Sequence, residues 1–141
     1  MHEHNVLFGR REGDHILLQL ESVEAPTYPA YRGVQMQASA VAGSFRGSAP
    51  ASAYFRDFEA FERELVTLQR SLSGSATFAP QDSEVGVLLT GDGMGHVAVS
   101  GFVADNALHD QGSILRVTLR LDQTYIPPIL DSIRGFIAAH T

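Results

Sequence analysis

At 141 residues and 44% hydrophobic content, the chain fits one domain, 1–141, large enough to bury a core without disulfides or a structural metal. It has no cysteine and no lysine, all ten basic residues being arginine, which excludes thiolate sites, a phosphate-loop lysine, Schiff-base catalysis and a Ser/Lys dyad. The net charge of −6 argues against nucleic acid as a direct ligand and is compatible with a basic protein partner.

In chain order, His15 to Val23 reads as a strand, with Asn5 to Phe8 placed to pair with it across the polar turn Arg10 to Asp14. Pro26, Tyr28, Pro29 and Tyr31 mark an extended loop. Two strand-like runs follow, Gly33 to Val41 and Gly43 to Tyr54, divided at Ala42-Gly43. The second is rich in Ser, Ala and Gly, so its register is expected to be weakly specified. Phe58, Phe61, Leu65, Leu68 and Leu72 then recur at spacings of three and four, predicting an amphipathic helix whose exposed side carries Glu59, Glu62, Arg63, Glu64 and Arg70. Ser73-Gly74 supplies the stop signal, and no clean capping box marks the start.

Further strands are expected at Ser75 to Phe78, Glu84 to Leu89, His96 to Val103 and Ser113 to Leu121, with turns at Pro80 to Asp82, Gly91 to Gly93 and Asp105 to Gly112. The last strand runs through Asp122 to Tyr125 into a closing helix with Ile126, Ile129, Leu130, Ile133, Phe136 and Ile137 on one side. Pro127 and Pro128 suit only its first turn, where a missing N–H has no intrahelical acceptor. Runs of strands joined by short turns and separated by helices make an α+β pattern with antiparallel pairing. The simplest architecture is a curved antiparallel β-sheet with two amphipathic helices packed on it.

Little in the chain resembles catalytic chemistry. Gly91 to His96 has the glycines of a phosphate loop, but it lies between two strands and lacks a following helix or a lysine, so a glycine-rich hairpin is the better reading. Asp92 and His96 have the residue types of a base and its orienting partner, with no specific nucleophile beside them. A histidine that pins the hairpin is the simpler role. His2 with His4, and His109 with Asp105 and Asp110, lack the dense ligand spacing of zinc or calcium sites, so neither a metal nor a cofactor is expected. No N-terminal run resembles a signal peptide and no segment has the length of a membrane span, so a cytoplasmic protein with no membrane association is expected.

Three stretches nevertheless carry a resemblance: Leu65 to Phe78, Gly91 to Gly101 and Leu121 to Pro127. Their order and spacing are similar to the WapI-like family of small bacterial immunity proteins, over roughly residues 33–137. Members are associated with polymorphic toxins of the wall-associated, YD-repeat kind, whose C-terminal domains enter neighbouring cells and are commonly nucleases. The resemblance implies a non-enzymatic protein that binds and neutralises a cognate toxin domain, with no catalytic residue to carry over. Tyr28, Tyr31, Asp105 and Asp110 are the candidate partner contacts, because aromatic and acidic side chains on loops suit a basic protein surface. The alternative is a small-ligand or regulatory binding module, which requires an apolar pocket with a few convergent polar groups. Monomer and homodimer both remain open.

Overall fold

The computed structural model describes residues 4–26, 31–81, 83–105 and 112–141. Its first half is a four-stranded antiparallel meander of β1 (His4–Gly9), β2 (His15–Val23), β3 (Gly33–Ala42) and β4 (Phe45–Tyr54), in that order across the sheet. Alternation decides which side faces inward: Val6, Phe8, Ile16, Leu18, Leu20, Val34, Met36, Ala38 and Ala40 are all buried. Gln19, Gln35 and Ser48 lie exposed on the opposite face. Asp14 ties the two hairpins of this sheet together, its carboxylate accepting the Gly43 N–H at 2.8 Å.

Helix α1 (Phe55–Ser71) follows β4 without a loop. Asp57 accepts the Tyr54 N–H at 2.7 Å, supplying the reciprocal half of a capping box in a sequence with no Ser or Thr at the cap. Phe55, Phe58, Phe61, Leu65 and Leu68 form the buried stripe. Leu72 ends the helix in the left-handed conformation at φ 59°, a role expected of Gly74, and its N–H bonds the Leu68 carbonyl at 2.8 Å.

The second half repeats this order. Strands β5 (Ser73–Phe78), β6 (Val85–Asp92), β7 (His96–Asp105) and β8 (Ser113–Asp122) form a second antiparallel meander. A 3-10 turn at Gln123–Tyr125 then leads into α2 (Ile126–Ala139), which carries both prolines in its first turn. The chain is thus ββββα used twice, an organisation without visible sequence repetition. The expected α+β class, antiparallel pairing and two helices are all present; the strands are divided between two sheets.

The sheets face each other, β4 against β7 and β3 against β8, around a single core. Small residues let the backbones approach. A Cβ placed on Gly101 of β7 would lie 2.5 Å from the Ile16 side chain and 2.7 Å from the Gly86 carbonyl. Ala49, Ala51 and Ala53 on the inner face of β4 serve the same close contact. The Ser- and Ala-rich composition of β4 therefore reflects tight sheet packing, and its register with β3 runs unbroken from Gly33–Tyr54 to Ala42–Phe45.

Aromatic side chains fill the space under the helices. The Phe58 ring lies 4.8 Å from that of Phe78 and 5.1 Å from that of Phe136, joining α1, β5 and α2. Phe8 of β1 meets Phe61 at 6.0 Å. Across the helix surface, Arg134 reaches Glu62 at 3.2 Å. Glu64 turns to the edge of β5, where it accepts the Thr77 N–H at 2.7 Å and so covers part of an otherwise open strand edge.

Candidate functional site

Tyr31 is 64% exposed and meets Tyr54 edge-on, the ring centroids 6.0 Å apart. The Arg56 guanidinium lies 5.4 Å from the first ring and 5.0 Å from the second, within the range of a cation–π contact. Beneath the tyrosines is an open cleft of about 340 Å³ walled by Glu24, Gln35 and Ser52. The Glu24 carboxylate accepts the Gly33 N–H at 3.2 Å, and Arg32 bonds the backbone carbonyls of Glu24 and His140 at 2.8 and 2.5 Å. The cleft is lined mainly by polar groups, unlike the apolar cavity that a small-ligand module requires.

Asp105 stands elsewhere. It ends β7 paired with Ser113 and borders a second cleft of about 260 Å³ with Arg46, Ile114 and Leu115. The two clefts draw on opposite ends of β4, residues 52–54 for one and 46–49 for the other, so Tyr31 and Asp105 do not form one site. Tyr28 and Asp110 lie outside the described residues, as do His2 and His109. His4 is engaged with aromatic rings, 5.8 Å from Phe136 and 6.1 Å from His140.

Asp92 and His96 do meet, Oδ2 and Nδ1 standing 2.9 Å apart on the β6–β7 hairpin. The other carboxylate oxygen accepts the Met94 N–H at 2.7 Å and the His96 N–H at 3.1 Å. The Met94 N–H and then the imidazole hold the Asp92 carboxyl below its usual pKa. Both side chains are about half exposed, and all these bonds close one turn in which Gly93 and Gly95 adopt positive φ. The geometry is that of a pinned hairpin, with Met94 81% exposed at its tip.

The Asp122 junction is also local. Its carboxylate accepts the Thr124 hydroxyl and the Thr124 N–H, and these contacts, the hydroxyl first, lower its pKa. Arg10 lies over the Tyr125 ring at 5.5 Å.

One surface escaped the sequence reading. On the outward face of the second sheet, Leu88 is 39% exposed and Ile114 55% exposed, with half-buried Phe102 on the strand between them. Arg116 stands opposite Phe102 and Arg120 opposite Ala98, both exposed. The alternation of Ile114 to Leu121 was legible and puts Ile114 on one face with the two arginines; that Leu88 and Phe102 share that outward face required the pairing register.

Residues 7–140 match the Immunity protein WapI-like family. This chain belongs to that family. No curated protein matches it. The three segments that carry the WapI-like resemblance come together in space, Gly93 donating to the Leu72 carbonyl at 2.7 Å and Gln123 donating to the Gly95 carbonyl at 2.8 Å. Those three segments thus form one structural corner, where α1 ends, β6 turns into β7 and β8 runs into α2. Among the described residues, no helix is long and apolar enough to cross a membrane.

Proposed function

We propose that this chain is an immunity protein that binds a cognate toxin domain in the cytoplasm of the producing cell and neutralises it by occlusion, without chemistry of its own. Membership of the WapI-like family across residues 7–140 carries this reading. The uses of the polar groups support it: Asp92, His96 and Asp122 are taken up in turns and a helix start, and Glu24 and Arg32 in backbone contacts. A rigid double-sheet scaffold with exposed aromatic and apolar side chains suits a protein that works by presenting a surface.

The test is to look for a large toxin gene immediately upstream and to co-express this chain with the C-terminal domain of the toxin found there. Cells carrying both are expected to grow while cells carrying the toxin domain alone die. Equal killing in the two strains would overturn the reading.

A further inference from the structure

We infer that β8 is a pairing edge, and that its occupant is a second copy of this chain, joined antiparallel through β8 about a two-fold axis at Leu119. Self-association of this kind is independent of the immunity reading above.

The other three edges of the two sheets are closed. α2 lies along β1, with Phe136 against His4. α1 lies along β5, where Glu64 takes up the Thr77 N–H. β4 carries Pro50, which has no N–H to offer, and its Ser52 carbonyl accepts the Ser83 hydroxyl at 2.9 Å. β8 has none of these devices. It runs ten residues without proline, glycine or a break in its register with β7. The Gln123 N–H bonds the Gly95 carbonyl, so in this register the odd-numbered residues face β7. The backbone groups of Ile114, Arg116, Thr118 and Arg120 therefore point away from it. Among the described residues nothing bonds to that row, and no helix lies along it. On the inner side of the same edge, Leu115 and Leu119 pack against the core but are only half-buried.

Self-complementary charge names the occupant. The outer side chains of β8 run Ile114, Arg116, Thr118, Arg120, Asp122, and a two-fold contact matches that row against itself in reverse. With Leu119 on the axis, Arg116 of each copy stands opposite Asp122 of the other, and Thr118 stands opposite Arg120. Sliding the second copy by two residues one way sets Arg116 against Arg120; sliding it the other way sets Arg120 against its own counterpart. Like charges directly opposite are unfavourable, and a slide of one residue turns outer side chains against inner ones. Asp122 has an oxygen to give: Thr124 bonds Oδ1, and among the described residues Oδ2 has no hydrogen-bond partner. Asp92 and His96, on β6 and β7 behind this edge, are paired with each other. At the axis Leu119 meets its own counterpart, which gives the half-buried side chain apolar cover.

The experiment is sedimentation of the purified full chain over a concentration series. A contact between two edge strands is small, so a Kd of about 10–100 µM is expected, with the mass rising from 15.3 kDa to twice that value. Thr118→Pro removes an N–H from the open row without touching the ladder to β7, and should weaken association at least about 30-fold. Arg116→Glu should weaken it roughly tenfold, and adding Asp122→Arg, which restores the opposite-charge pairs in reverse, should bring it back to within about threefold of wild type. Thermal unfolding verifies that each variant is folded. Because the chain has no cysteine, the register is also read directly should Thr118→Pro fail to fold. Leu119→Cys sets two thiols across a non-hydrogen-bonded pair about 4.5 Å apart at Cα, within reach of a disulfide, whereas Leu115→Cys does not meet its counterpart. Under mild oxidation the first should form a covalent dimer and the second should not. A chain that stays at 15.3 kDa up to about 500 µM overturns the inference. So does a dimer that survives Thr118→Pro, a folded charge swap that associates no better than Arg116→Glu, or crosslinking of Leu119→Cys no faster than of Leu115→Cys. If the chain stays monomeric and Thr118→Pro abolishes protection against an identified toxin, the edge receives a strand of that toxin and a second copy is not its occupant.

Discussion

Leu72, the left-handed residue that ends α1, accepts the N–H of Gly93 at 2.7 Å, so the end of the first helix is fastened to the tip of a hairpin 21 residues on. Gly91 makes the contact sterically feasible. A Cβ there would stand 2.5 Å from the Leu72 carbonyl oxygen and 2.9 Å from the Leu68 side chain. Gly91→Ala is therefore expected to destabilise the fold by about 1–3 kcal/mol, the usual cost of overpacking, because the clash is with backbone that cannot rotate away. Denaturant unfolding checks this; a variant as stable as wild type would show that the corner is not held as described.

The aromatic cluster makes a larger claim. Phe58 is fully buried and touches rings from β5 and α2, so Phe58→Ala removes the piece that joins the helices to the second sheet. A loss of about 3–5 kcal/mol is expected, a large share of the 5–15 kcal/mol typical of a domain. The fall should appear as a lower denaturant midpoint with an unchanged slope.

At the start of α1, Asp57→Ala removes the carboxylate that accepts the Tyr54 N–H. The expected loss is about 1 kcal/mol, with Asp57→Asn recovering part of it, because an amide oxygen still accepts the bond but lacks the charge favoured at a helix N-terminus. Chemical denaturation of both variants checks the order.

Acid should weaken the fold in two stages. His140, its ring tilted against that of Phe136 with the centroids 4.9 Å apart, is held below its usual pKa of 6.5, first by burial and then by nearby His4 and Arg32. The unfolded chain therefore takes up this proton before the folded one does. Stability is full above pH 6.5 and falls as the pH drops from there towards the lowered value. The carboxyls of Asp92 and Asp122 lie below their usual 3.8, so their contribution is present above that value and is lost at lower pH, as they protonate through their folded values. Melting temperature followed against pH should show both declines, and His140→Gln should abolish the upper one alone.

Much of the scaffold was legible because its signals are local. The strand read at His15 to Val23 has the bounds of β2, and the polar turn placed β1 beside it; the register shift between Leu20 and Ser22 was not foreseen. The Gly91 to His96 segment is the hairpin its flanking strands required. The helix stripe was correct in phase, yet α1 begins earlier, at Phe55, because its cap uses a backbone N–H and Asp57 in place of a hydroxyl residue. Division into two sheets was not legible. It depends on α1 carrying the chain from one sheet to the other, and no local pattern says whether β5 returns to pair with β4.

The candidate contacts fared differently because surface function leaves no periodic trace. Tyr31 was singled out on residue type and proves exposed beside a partner, Tyr54, that sequence reading had assigned only to a strand. Arg56, which lies against both rings, sits in the first turn of a helix and carries no sequence mark at all. Leu88 and Phe102 look like core residues in their strands until the pairing turns them outward, whereas Ile114 shares the side of β8 that carries Arg116 and Arg120.

The central claim is that this chain neutralises a toxin by binding it. Titrating the purified chain into the purified cognate toxin domain, once that domain is identified, with the toxin's activity followed in the same sample, tests that claim most directly. The expected result is saturable binding, with activity falling to nothing as binding reaches its stoichiometric end point. Toxin activity that continues undiminished in a large molar excess of the folded chain would contradict it.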